Sequence, residues 1–115
     1  MQSLIISLEE MDWQSHPLNE CAQVKRMVSQ ADEAKVSILL VKIPKGEGIP
    51  EHVHEHSSDI LFTLSGVARM SVEGLEEIEL KEGMLVAVPP DTRHRIFDVK
   101  EELLLYDVFV PPLAP

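Results

Sequence analysis

Cysteine is nearly missing from this chain. Cys21 is the only one among 115 residues, so there is no intrachain disulfide framework. Its neighbours in sequence include no base or motif that would activate a thiolate, and it reads as structural or incidental. Long apolar runs are missing too, since none approaches the roughly 20 residues that cross a bilayer. The opening MQSLIISLEEMD has a short apolar stretch but neither the basic region nor the small-residue cleavage site of a secretory signal, which predicts a cytoplasmic protein. Basic residues are in deficit, 10 Lys and Arg against 20 Asp and Glu, giving a formal net charge of −10. Such a surface repels polyanions, so neither nucleic acid nor an anionic membrane is expected as a partner; the acidic excess serves mainly solubility. There is no internal repeat, linker or low-complexity segment, and no helix-turn-helix pattern of a self-contained regulator.

What is present reads as one domain over residues 1–115, long enough to bury a modest core. Val36–Ile43 is rich in β-branched and large aliphatic residues and stops at Pro44-Lys45-Gly46. Ile60–Leu64 is closed by Ser65-Gly66, Val67–Glu73 by Gly74, and Glu76–Leu80 by Lys81-Glu82-Gly83. Met84–Val88 is a continuous apolar run expected to be fully buried. His94–Val99 and Leu103–Val110 follow, ending at Pro111-Pro112. Short strands with breaks every 8–12 residues predict an all-β sandwich or barrel. Asn19–Glu33 fits a helix through Val24, Met27, Val28 and Ala31, and a strand through Ala22, Val24 and Arg26; local pattern does not decide between them. Residues 1–20 read as an N-terminal arm whose Trp13 packs onto the fold or onto a neighbouring subunit. Phe62, Met70, Met84, Phe97 and Phe109 are expected in the core, and Glu76, Glu77 and Glu79 on a solvated edge.

The chemistry concentrates in GEGIPEHVHEHSSDILFTLSG, residues 46–66. His52, His54 and His56 alternate, and in an extended strand alternate side chains share a face. Three imidazoles on one face, with Asp59 close behind, are nitrogen and oxygen donors suited to a transition metal. His94 follows the turn-forming Pro89-Pro90-Asp91-Thr92, while His16 stands apart.

Two sets of spacings resemble the paired motifs of the cupin family. Gly46, His52, His54, Asp59 and Gly66 are similar to G-x5-H-x-H-x4-E-x6-G, and Gly83, Pro89 and His94 (residues 83–98) to G-x5-P-x-G-x2-H-x3-N. Three residues depart from the pattern. Asp59 stands in place of Glu, Asp91 in place of Gly and Asp98 in place of Asn. Asp tolerates turn conformations that favour glycine, whereas Asp59 is one methylene shorter than Glu and leaves direct ligation, ligation through water and an orienting role all open.

The resemblance implies an all-β, single-domain cupin jelly-roll β-barrel (a double-stranded β-helix) with a short N-terminal arm. It also implies one divalent transition metal ion per chain (Fe, Mn, Ni or Zn) held by His52, His54, Asp59 and His94, and a homodimer. His56, Tyr106 and Arg69 are the candidates for proton transfer or substrate anchoring; the plainer readings are a rim histidine hydrogen-bonded to solvent or Glu55, and a solvated strand charge at Arg69. Open positions on the metal suit a metal-dependent enzyme acting on a small polar metabolite, by dioxygenation or by sugar- or uronate-type isomerisation or lysis. The alternative is a non-catalytic module that binds a metal or small ligand.

Overall fold

The computed structural model describes residues 1–114, and its strands are β1 Gln14–His16, β2 Asn19–Val28, β3 Ser37–Ile43, β4 Ile49–His52, β5 Ser58–Val72, β6 Ile78–Lys81, β7 Leu85–Val88 and β8 His94–Val110. Short 3-10 turns occupy Leu8–Glu10 and Gln30–Asp32. The ambiguous segment 19–33 is therefore strand over most of its length. Ala22 and Val24 alternate inward and are fully buried, and the turn that follows is closed by a reciprocal pair of bonds between Ser29 and Asp32.

All pairings are antiparallel, in the order β1-β2-β3-β8-β5-β6, with β4 also on β8 and β7 also on β5. This corrects the expected closed barrel. The hydrogen-bonded path is open, because its end strands β1 and β6 do not pair with each other. Two long strands account for it. β8 bonds β4 through its first residues and β3 through its last, and β5 divides in the same way between β7 and β6. Extra strands are thus taken on as branches along β5 and β8 instead of closing a ring.

β5 and β8 each cross a break that the sequence marks as a strand end. β5 runs through Ser65-Gly66 with shifts of register against β8 between Thr63 and Arg69. Gly66 has φ of 99°, and a Cβ there would collide with the carbonyl oxygen of Glu102, so only glycine permits β5 to pass so close to β8 at this bend. In β8, Asp98 adopts φ of 50° and absorbs the irregularity without ending the strand.

The core lies on one face, built from alternate residues such as Val24, Leu39, Val41, Ile43, Leu61, Met70, Leu80, Leu103, Leu105 and Phe109. Met70 and Phe109 belong to it as expected, but Phe62 is exposed, and Met84 and Phe97 are only half-buried. The β7 run is not fully buried either: Leu85 and Ala87 face outward, while Val88 is buried in the core and Val86 packs partly buried against it, because the strand is covered on a single side. Trp13 lies against the ammonium groups of Lys25 and Lys42, at 4.7 and 4.4 Å from the ring centre. No helix among the described residues is long and apolar enough to cross a membrane.

Candidate metal centre

His52 and His94 face each other directly across the β4–β8 pair, with ring centres 4.2 Å apart. β4 ends at His52. The chain leaves the pairing at Val53-His54 with His54 turned toward the pair, then bends at Glu55-His56 before β5 begins, which carries His56 away from it. The backbone N–H of Asp91 donates to the carbonyl oxygen of His54 at 2.8 Å and ties the bend to the turn before β8. Asp91 has φ of 56°, a left-handed conformation that aspartate tolerates and that explains its place at a position the family gives to glycine. Asp59 is the second residue of β5, opposite Phe109 and Val88, and is 3% exposed.

One donor atom from each of His52, His54, Asp59 and His94 lies within 4.8 Å of all the others. The shorter carboxylate reaches the cluster, with Asp59 Oδ2 at 3.2 Å from His94 Nε2 and 3.7 Å from His54 Nε2. Nδ1 of His52 is 2.7 Å from the Pro50 carbonyl oxygen, and Nδ1 of His94 is 2.8 Å from that of Thr92. A carbonyl only accepts, so both Nδ1 atoms carry the proton and both Nε2 atoms present lone pairs to the cluster. Asp59 Oδ1 is buried without a hydrogen-bond partner. Lone pairs converging on a carboxylate repel one another unless a cation or proton lies between them, so this donor set fits one divalent transition metal ion per chain.

Protonation in the metal-free fold follows the same geometry. Burial lowers the pKa of His52 and of His54. Burial opposes charge on His94 as well, but its bond to Asp59, the Thr92 carbonyl and the Asp59 charge together outweigh that and raise it. Burial alone would raise Asp59; hydrogen bonding to Asp107 and His94 and the nearby imidazoles bring it below the ordinary carboxylate value instead.

Asp107 is the residue that motif reasoning passes over. It is 7% exposed, carries an Oδ1 without a partner, and is pushed well above the usual carboxylate range by burial and then by hydrogen bonding to Asp59 and its charge. Two neighbouring buried carboxyl groups oppose each other's ionisation, and here Asp59 is shifted toward the charged form and Asp107 toward the protonated one. A signal was available in the sequence. Leu103, Leu105, Asp107 and Phe109 have one parity, so an acid sits in an otherwise apolar inward series.

These groups line a cavity of about 590 Å³ whose other walls include Val24, Leu39, Val41, Ile49, Leu61, Ile96 and Leu105. His16, which stands apart in sequence, lines the same cavity because β1 folds back on β2. His56 is on its rim, exposed, with Nε2 3.8 Å from Glu55. Arg69 and Tyr106 lie outside the cavity. Arg69 pairs with Glu77 at 2.8 Å, and Tyr106 has the outward parity of β8. Cys21 is exposed, and its thiol is held up by the Glu47 carboxylate, which leaves it a poor nucleophile.

Residues 39–109 match the family model described as a cupin domain. The chain belongs to the cupin family. A protein of Streptomyces cyaneus named polyketide synthase CurC is 31% identical over 70 residues, 61% of this chain and 45% of that protein, so the chain spans less than half the length of this curated relative. Among solved structures, KdgF from Halomonas sp. superposes with a TM-score of 0.79 at 24% identity, over 91% of this chain and 92% of that one. Ectoine synthase from P. lautus does so with a TM-score of 0.85 at 19% identity, over 97% and 80%. At these identities the likeness establishes the fold. A cupin fold with this four-residue cluster is consistent with a metal-dependent cupin enzyme.

Proposed function

We propose that this chain is a metal-dependent enzyme that moves a proton within a small molecule, with the molecule's oxygen atoms at the His52, His54, Asp59 and His94 cluster and its carbon body against the apolar walls. The observation that carries the reading is Asp107, a buried carboxyl in the cavity, without a partner at Oδ1, whose pKa burial and the neighbouring Asp59 push well above the usual carboxylate range. A bound divalent ion supplies Lewis acidity that stabilises negative charge on a substrate oxygen. His52 and His94, fixed by the Pro50 and Thr92 carbonyls, keep the cluster oriented. Asp107 gives a proton to the substrate and takes one back from a neighbouring carbon, an isomerase- or lyase-type step that needs no oxidant.

The apolar walls favour a body less polar than a free sugar. The name of the Streptomyces cyaneus relative points the same way, since polyketides are carbon chains bearing carbonyl oxygens. The test is incubation of zinc- or nickel-loaded protein with a panel of hydroxyketones and keto acids in D2O. Deuterium should enter the carbon beside the carbonyl, without oxygen uptake, and this exchange should vanish in His94→Ala and Asp107→Asn proteins. Stoichiometric oxygen consumption would replace this reading with dioxygenation, and tight binding with no turnover would replace it with a non-catalytic binding module.

A further inference from the structure

The cavity has polar groups besides the four-residue cluster. β2 directs Ala22, Val24 and Arg26 to one side in turn; Arg26, exposed, lines the cavity next to Gln14, and His16, two residues further along β1, lines it too. Arg69 and Arg93 are paired with Glu77 and Glu73, whereas among the described residues Arg26 has no carboxylate within 4.0 Å. Its Nη1 donates instead to the neutral Gln14 Oε1 at 2.8 Å, which aims the guanidinium without cancelling its charge. In a chain of net charge −10, an arginine left uncancelled in a cavity wall is available to a ligand. His16 is fixed as a donor as well. The Leu18 N–H donates to His16 Nδ1 at 3.0 Å, so the ring proton of neutral His16 is on Nε2.

We propose that His16 and Arg26 form an oxyanion-accepting subsite, which takes a carboxylate of the ligand whose other end lies at the metal cluster. Burial, then the charges of His52 and Arg26, lower the His16 pKa to about 4, so near neutral pH the ring is an uncharged Nε2–H donor in the same cavity as the guanidinium. The ligand class that fits is an oxygenated organic acid with an apolar body, matched by the walls Val24, Leu39 and Val41. The proposal rests on the metal reading above for which end of the ligand faces which pole.

The test compares catechol with 3,4-dihydroxybenzoate, which adds one carboxylate to the same pair of metal-chelating oxygens, by calorimetry on anaerobic zinc-loaded protein. The carboxylate should tighten binding at least tenfold in the unaltered protein. Arg26→Gln and His16→Phe should each remove most of that preference and leave catechol affinity unchanged, which also shows that the variants are folded. Equal affinity for the two compounds, or a preference that survives either substitution, overturns the subsite. Binding of 3,4-dihydroxybenzoate that depends on Arg26, with no binding of catechol and no effect of His52→Ala, would sink the metal reading and leave the subsite standing.

Discussion

An imidazole binds a cation only through an unprotonated nitrogen, so the titration of each histidine sets what it can do. In the metal-free fold His94 is raised above its ordinary value of 6.5. Its contribution to stability is therefore fully present below 6.5 and fades as pH rises through the folded value, whereas metal affinity increases over the same range because the metal displaces that proton. Denaturant unfolding and metal titration at a series of pH values should show these opposite slopes. His16 behaves in the reverse sense. Its folded pKa of about 4 lies below the ordinary 6.5, so stability drops as pH falls between those values, and His16→Phe should flatten that drop. Replacing any of His52, His54 or His94 by alanine should lower metal affinity by roughly 100-fold or more, since loss of orienting partners alone gives about 10- to 100-fold; chelator competition measures it. The motif spacings identified His52, His54, Asp59 and His94, because spacing along a strand is visible in sequence. His16 and Asp107 were not identified, because one depends on how the arm folds back and the other on burial opposite a partner distant in sequence.

At the scale of elements, the irregular positions are the ones that aim the site. The end of β4 after His52 and the bend at Glu55-His56 separate two histidines that converge from a third that does not. Strict alternation treats His52, His54 and His56 alike, and only the termination of pairing distinguishes them. β5 and β8 show the opposite effect: glycine and turn residues that read as strand ends are bulges within longer strands, held by pairing on both sides. Gly66 is the clearest case. Its φ of 99° and its closeness to the Glu102 backbone predict that Gly66→Ala destabilises the protein by about 2 kcal/mol or more, read by thermal or urea unfolding. Asp91→Gly, which restores the family residue at φ of 56°, should leave stability within about 1 kcal/mol, while Asp91→Val should lower it and weaken metal binding through the His54 carbonyl contact.

For the whole molecule, the strand content was legible and the closure was not. Alternation and turn residues report where strands run, but whether the first and last strands meet depends on twist and on which segments of β5 and β8 each neighbour occupies. The outward face carries Phe62, Leu85, Tyr106 and Val110, all exposed, and Phe62 is the cross-strand neighbour of both Tyr106 and Leu85. The homodimer that family resemblance leads one to expect would have an uncharged surface to use there. Light scattering after size exclusion should then give twice the chain mass of 12.9 kDa, and Phe62→Lys should return it to the single-chain value.

The convergence of four side chains from β4, the following bend, β5 and β8 on one cation is the claim beneath all of this. X-ray absorption spectroscopy on metal-loaded protein, with metal content measured on the same sample, tests it most directly. One ion per chain is expected, with a first coordination sphere of imidazole nitrogen and carboxylate oxygen, and with loss of the imidazole scattering and the stoichiometry together in His52→Ala and His94→Ala. Substoichiometric metal, or an all-oxygen sphere indifferent to those substitutions, would contradict it.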